Sequence, residues 1–358
     1  MRMVFSVLKV MLLVLLSVSF LFVLIGTLSI GVFDRKVLKA DFYKDQLREA
    51  NFYERVYDDV MPEIKGLPNY YGGISITQQE ANQLIRQIIP PQWLQEQVEP
   101  ALDSAIPWIR SDTDELNLVI DLRPAKQRAH VAVLQFASQK LDNLPEGPLP
   151  DLEQVAGGEF PPYLPGKPAS PDRQAIVQQA VALLTPYVDA NIDKAPDKLD
   201  LIQEEVNREG KGKTKAEFLE DRFGTGRDII DLVINKIGLI KAYLALAVLL
   251  VLIALLNWGK LRALLRWVGG TMLFTSLPLL VMGLYAHIAG PGLVKNKLEE
   301  GIDDVPANII KLASDLSGSA IKEISWTFVL PAIVITGIGL VLFVLSFVVQ
   351  RQEATRGD

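Results

Sequence analysis

The sequence has no cysteine and only two histidines. The first absence excludes disulfides, thiolate nucleophiles and cysteine-based metal sites, though it says little about compartment. The second leaves His130 and His287 in separate segments, without the several ligands at suitable spacing that zinc needs. Positive charge is not in surplus either. The net charge of −6 offers no basic surface, so nucleic acid is not an expected partner. There is no G-x-S-x-G elbow for a serine hydrolase. Asp58-Asp59 and Asp303-Asp304 lack the spaced oxygen ligands of a calcium loop. In GKGKT, Gly212, Lys213 and Thr214 match the end of a phosphate-binding loop. The leading glycine of that motif falls on Asn207, and no strand precedes it, so a solvated basic linker is expected instead. No catalytic residue, cofactor-binding residue or metal ligand is assigned, and the chain is expected not to be an enzyme.

What is present is segregated. Hydrophobic residues make up 49% of the 358 and charged residues 22%, and the two hardly mix. Apolar residues gather in four blocks: Val10–Phe33, Ile237–Trp258, Trp267–Ile288 and Trp326–Val349. A helix rises about 1.5 Å per residue, so a hydrocarbon core of roughly 30 Å takes about 20 residues, and each block is long enough. The first block is too long for the apolar part of a signal peptide, which runs to roughly 7–15 residues, and is expected to remain as an anchor. None of the blocks contains aspartate or glutamate. Ion-coupled transporters usually bury such groups, so ion coupling gains no support. Lys241, one turn inside the second block, is expected to snorkel to the interface. Trp258, Trp267 and Trp326 stand at block edges, as interfacial aromatics do.

Charge then orients the blocks. The segment 259–266 carries Lys260, Arg262 and Arg266 and no acid. The N-terminus 1–9 adds Arg2 and Lys9, and the tail 350–358 adds Arg351 and Arg356. Four spans put all three segments on one face, and the positive-inside rule makes that face cytoplasmic. Residues 34–236 and 289–325 are then extracytoplasmic. The expected fold is mainly α: a four-helix transmembrane bundle with a large, mostly α-helical extracytoplasmic domain inserted between the first and second spans, in the cell membrane.

Within 34–236, Phe42, Leu47, Phe52, Val56 and Val60 recur at helical spacing. Thr77 and Glu80 predict a capping box. Pro90-Pro91 ends one helix and begins another, and Pro124 begins a helix to about Leu141. Glu115–Leu122 alternates like a strand, but a single strand makes no sheet, so an extended connector is the other reading. Residues 145–171 hold eight prolines in 27 positions and predict an irregular spacer. Ser170-Pro171-Asp172 predicts a helix to about Ile192, and another is expected from Pro196 to about Val206. A helix from Ala216 is expected to run past Arg227 into the second span. Leu298, Ile302, Val305, Ile309, Leu312 and Leu316 give 289–325 an apolar face, expected to dock on the main outer domain.

Tyr43, Tyr53 and Tyr57 form a stripe, and Trp93 and Trp108 follow on the next helix. Such a set either fills the core or lines a groove for a ligand or partner, and these five are the candidate groove residues. The order of one span, a large outer domain and three further spans resembles the permease subunits of MacB-like mechanotransmission transporters, in topology alone. That resemblance implies a cytoplasmic ATPase partner. Claudins share the outline, but the paired cysteines and signature tryptophan of their first loop are missing here. The first expected function is non-enzymatic binding of an envelope partner or apolar ligand by the outer domain. The second is a mechanotransmission subunit. Expected partners are the bilayer, an envelope protein or a second copy of the chain.

Overall fold

A computed structural model describes residues 2–60, 70–71, 74–150, 152–158, 161–210, 212–301 and 305–355. Helix α1, Arg2–Val32, passes into a π-helical turn at Phe33–Val37. α2 spans Ala40–Glu49. Asn51 at φ 50° separates it from α3, Phe52–Arg55, in a left-handed conformation that asparagine tolerates well. A second π-helical turn covers Val56–Val60. Strands β1, Tyr70–Tyr71, and β2, Ile74–Ser75, pair antiparallel. α4, Gln78–Ile88, opens on the capping box of Thr77 and Glu80, and α5 runs Pro91–Ile109. Then come β3, Val119–Asp121; α6, Arg123–Asp142; α7, Leu152–Ala156; α8, Pro171–Ile192; β4, Lys198–Asp200; and α9, Leu201–Glu209. α10 spans Lys215–Asp231, α11 Gly238–Leu256, α12 Leu261–Gly301 and α13 Ala307–Thr355.

Several of these expectations change. The strand in Glu115–Leu122 does have a partner: β3 pairs antiparallel with β4, with Ile120 opposite Leu199. β4 occupies the start of the helix expected from Pro196. That helix begins later, where the Asp200 carboxylate accepts from the Gln203 amide at 3.0 Å. The expected run from Ala216 past Arg227 into the second span is present as Lys215–Leu255, with a π-helical turn at Leu232–Ile237 and Gly238 at φ 64° within it. Residues 289–325 are not a separate segment. Their described part extends α12 and α13, and the two helices pack on each other. Finally, α12 begins at Leu261, so the connecting turn is Asn257–Lys260, and Arg262 and Arg266 ride on α12 itself. The helical spacing over Asp41–Ile64 does not give one unbroken helix: it is broken at Asn51, and 61–64 lie outside the described residues.

The chain divides into two compact units. One comprises Leu47–Ala105 and Glu115–Asp221. Its core joins Ala137 and Leu141 of α6, Val177, Ala180 and Leu184 of α8, Val155 of α7, and Leu164 of the proline-rich stretch. Burying each Leu or Val contributes about 1.5–3 kcal/mol. The proline-rich stretch is thus held in place. Gly147 N donates to Leu164 O at 3.1 Å, and Leu164 N donates to Pro145 O at 3.0 Å. Arg173 lies wholly buried beneath it.

The other unit comprises Met1–Gln46, Ile106–Asp114 and Arg222–Asp358. It contains the helices long and apolar enough to cross a membrane, four in number among the described residues. α1 packs on α11 and α12, and Phe20, Leu24, Leu28 and Leu246 form its centre. α12 and α13 have 41 and 49 residues, so they extend about 60 and 75 Å, well beyond a roughly 30 Å hydrocarbon core.

Candidate functional site

Of the five candidate aromatics, Tyr43 and Trp108 lie in the unit with the apolar helices. Tyr53, Tyr57 and Trp93 lie in the other. Tyr53, Tyr57, Trp93 and Trp108 are buried and Tyr43 is half-buried. Tyr57 donates its hydroxyl to Ile89 O, and Arg86 stacks 5.2 Å from its ring centroid. Burial, with Glu99 close by, pushes the Tyr53 hydroxyl up to about 12. Trp108 packs edge-on against Phe223 and beneath the Arg227 guanidinium at 4.6 Å. The Arg227 Nε also donates to Trp108 O at 2.9 Å.

The titratable groups noted in the sequence are satisfied locally. His130 Nδ1 lies 2.6 Å from Asp189 Oδ1. Asp59 takes Arg55 and Asp58 takes Arg86, whereas Asp303 and Asp304 lie outside the described residues. Lys213 pairs with Asp221, and Thr214 caps α10 by accepting from Glu217 N at 3.3 Å. No group of three or more metal-binding side chains occurs among the described residues.

Two open sites among the described residues bear on function. The first is a groove of about 410 Å³ between α4 and α6, lined by Gln87, Gln127, Arg128, Val131 and Gln135. Residues 127, 131 and 135 are four apart, so α6 carries them on one face. Val131 is 57% exposed there. Arg128 donates from Nε to Ile88 O at 2.8 Å and stacks 5.9 Å from the Trp93 ring. Its Nη2 is buried and has no acceptor. A buried donor without a partner costs about 1–3 kcal/mol.

The second is a cavity of about 1110 Å³ at the connecting-turn end of the apolar helices. α1 contributes Val14, Ser17 and Val18, and α13 contributes Phe343. The turn and α12 contribute the remainder, including Lys260, Arg262, Arg266 and Trp267. Ser17 Oγ and Thr271 Oγ1 lie 2.7 Å apart, tying α1 to α12.

No family model matches the chain, and no curated protein or solved structure is similar enough to lend it a family. Its function therefore has to be argued from these sites. Sequence reasoning missed Arg128, although the four-residue spacing of Gln127, Val131 and Gln135 was a usable signal. It found the cations at 260, 262 and 266 as topology markers and not as cavity residues.

Proposed function

We propose that this is a non-enzymatic multi-pass membrane protein whose polar helical domain faces away from the cytoplasm and binds a partner chain in the α4–α6 groove. The observation that carries this reading is Arg128 Nη2, a buried guanidinium donor without an acceptor, beside the exposed Val131 and three glutamine amides. An extended carboxylate- or carbonyl-rich segment would supply that acceptor. The membrane setting is supported by the large apolar side chains left uncovered along the four long helices, such as Phe22, Ile240, Leu244, Met282 and Ile288. In water these would form a patch far larger than soluble monomers carry.

The cysteine-free sequence makes the topology directly testable. Asn207→Cys should react with a membrane-impermeant maleimide in intact cells, and Leu261→Cys only after permeabilisation; the reverse pattern would invert the orientation. A photo-crosslinking residue at position 131 should form a discrete protein adduct in cells. Gln135→Ala or Arg128→Gln should weaken it. An adduct indifferent to both changes would remove the groove from the proposal.

A second reading, a mechanotransmission-type subunit working with a cytoplasmic ATPase, draws support from the α12–α13 pair, whose length suits a rod that carries movement along its axis. Co-purification of an ATPase with the full chain favours it; an ATPase-free preparation from native membranes counts against it.

A further inference from the structure

We infer that the cavity between α1, the Asn257–Lys260 turn and the first turns of α12 holds one anionic phospholipid. Lys260, Arg262 and Arg266 would take its phosphate, and Val14, Val18 and Phe274 would lie along an acyl chain. The inference rests on the membrane setting proposed above but concerns other residues than the α4–α6 groove, so failure of the groove does not decide it.

Four observations meet there. The volume of about 1110 Å³ is at the upper end of small-molecule pockets, roughly 300–1,000 Å³, and far larger than an inorganic phosphate needs. The lining carries three cations and no acid. Lys260 and Arg266 take no ion pair among the described residues. The one polar pair in the wall, Ser17 with Thr271, is satisfied internally, and Ser17 also donates to Leu13 O at 2.9 Å. The wall therefore presents carbon to a chain and makes no further polar demand on it. Gly270 leaves the cavity open, since a methyl group there would meet nothing within 4 Å.

Charge decides the headgroup. A zwitterionic lipid brings its own cation beside the phosphate and meets three positive charges. A net negative headgroup, such as phosphoglycerol, brings none. Membrane-surface cations contribute about a fivefold gain each, from roughly 1 kcal/mol per Lys or Arg near anionic lipid. Position agrees with this, because Trp258 lies in the turn and Trp267 early in α12, where interfacial tryptophans sit.

The test uses the full chain in detergent, exposed to equal amounts of phosphatidylglycerol and phosphatidylcholine with identical acyl chains and read by native mass spectrometry. One phosphatidylglycerol per chain is expected, with a preference of up to about a hundredfold over phosphatidylcholine. Arg266→Gln should cut that preference about fivefold, and the triple change Lys260→Gln, Arg262→Gln, Arg266→Gln should abolish it. Gly270→Leu puts a branched side chain into the cavity where the acyl chain would lie and should weaken lipid retention while leaving the circular-dichroism melt in place. If the triple variant fails to fold, Arg266→Gln and Gly270→Leu still decide the matter. Millimolar inorganic phosphate should not compete; displacement by phosphate alone would assign the site to a free anion and overturn the lipid. Equal retention of the two lipids, or a preference untouched by Arg266→Gln and Gly270→Leu, would also overturn it.

Discussion

The Arg173 guanidinium donates from Nη2 to the Leu141 carbonyl at 2.9 Å, joining α8 to the end of α6 across 32 residues. The same side chain reaches Gly166 O at 2.8 Å, Leu164 O at 3.3 Å and Leu144 O, and its Nε stands 3.7 Å from Asp142. Asp142 Oδ1 accepts from Ala169 N at 3.2 Å, so both residues fasten the proline-rich stretch. Removing one side of a buried charged network costs about 3–5 kcal/mol, because its partners stay buried and unpaired. Arg173→Met should therefore lower the melting temperature of the polar unit sharply and expose residues 145–171 to proteolysis. Arg173→Lys should also be damaging, since an ammonium cannot span four carbonyls as a planar fork does. A melt unchanged by either variant would show that the stretch is held by its apolar contacts alone.

Acid should loosen the same unit. Glu80 is held below the usual carboxylate range by its hydrogen bond from Lys140, with help from the Thr77 amide. Asp121 is lowered to about 2, chiefly by the Arg123 side chain. A depressed carboxylate adds stability that is present above its unfolded pKa, near 4, and is lost as pH falls through the folded value. The melting temperature should thus decline between about pH 4 and about pH 2. Glu80→Gln should flatten part of that decline while costing several tenths to about 1 kcal/mol at neutral pH through the weakened cap. An acid profile identical to that of the parent would exclude Glu80 from the effect.

Tyr53 acts at the other end of the scale. Burial first, and the Glu99 carboxylate second, raise its hydroxyl to about 12. A raised acid contributes stability below its unfolded pKa, near 10, and withdraws it as pH rises towards the folded value. Stability should fall between about pH 10 and about pH 12, and Tyr53→Phe should blunt that fall. Tyrosinate absorbance during an alkaline titration checks it: one tyrosine fewer should titrate late in the variant.

How much of this could be read from the sequence follows from where the determinants sit. α8 has the predicted bounds because its start signal is local: Ser170 caps, Pro171 fits the first turn, and Ser170 Oγ accepts from Arg173 N at 3.4 Å. The Thr77–Glu80 box is local in the same way. β4 was missed because Lys198–Asp200 offers one apolar residue and owes its extended form to β3, nearly eighty positions earlier. The order of the proline-rich stretch was hidden because its anchor is an arginine, a residue type rarely buried without partners, and the partners are backbone carbonyls. The length of α12 and α13 was not legible because the polar residues of 289–325 end the apolar blocks, while both helices run on through them packed against each other. The five aromatics could be read only as a sequence pattern, because a groove depends on which faces stay open. The cavity at the Asn257–Lys260 turn is built from α1, α12 and α13, which are far apart in the chain, and no spacing rule reports that.

Glycines on α12 and α13 provide a controlled test of that helix pair. A Cβ on Gly269 would lie 2.7 Å from Phe343 N and 2.8 Å from Gly339 O, inside the backbone of α13. A Cβ on Gly339 would meet Met272 at 2.9 Å and Gly269 O at 3.1 Å. The two backbones can approach only because both positions lack a side chain, as small residues allow between membrane helices. Gly270 and Gly337 have nothing within 4 Å and face open space. Gly269→Ala should force α12 and α13 apart and destabilise the unit by about 1–3 kcal/mol, as overpacking does. Gly337→Ala should be neutral or stabilising by up to about 1 kcal/mol, since it removes only the entropic weakness of glycine in a helix. Unfolding in mixed micelles would rank the two variants. Equal behaviour would mean that the close crossing of α12 and α13 at Gly269 and Gly339 does not hold in solution.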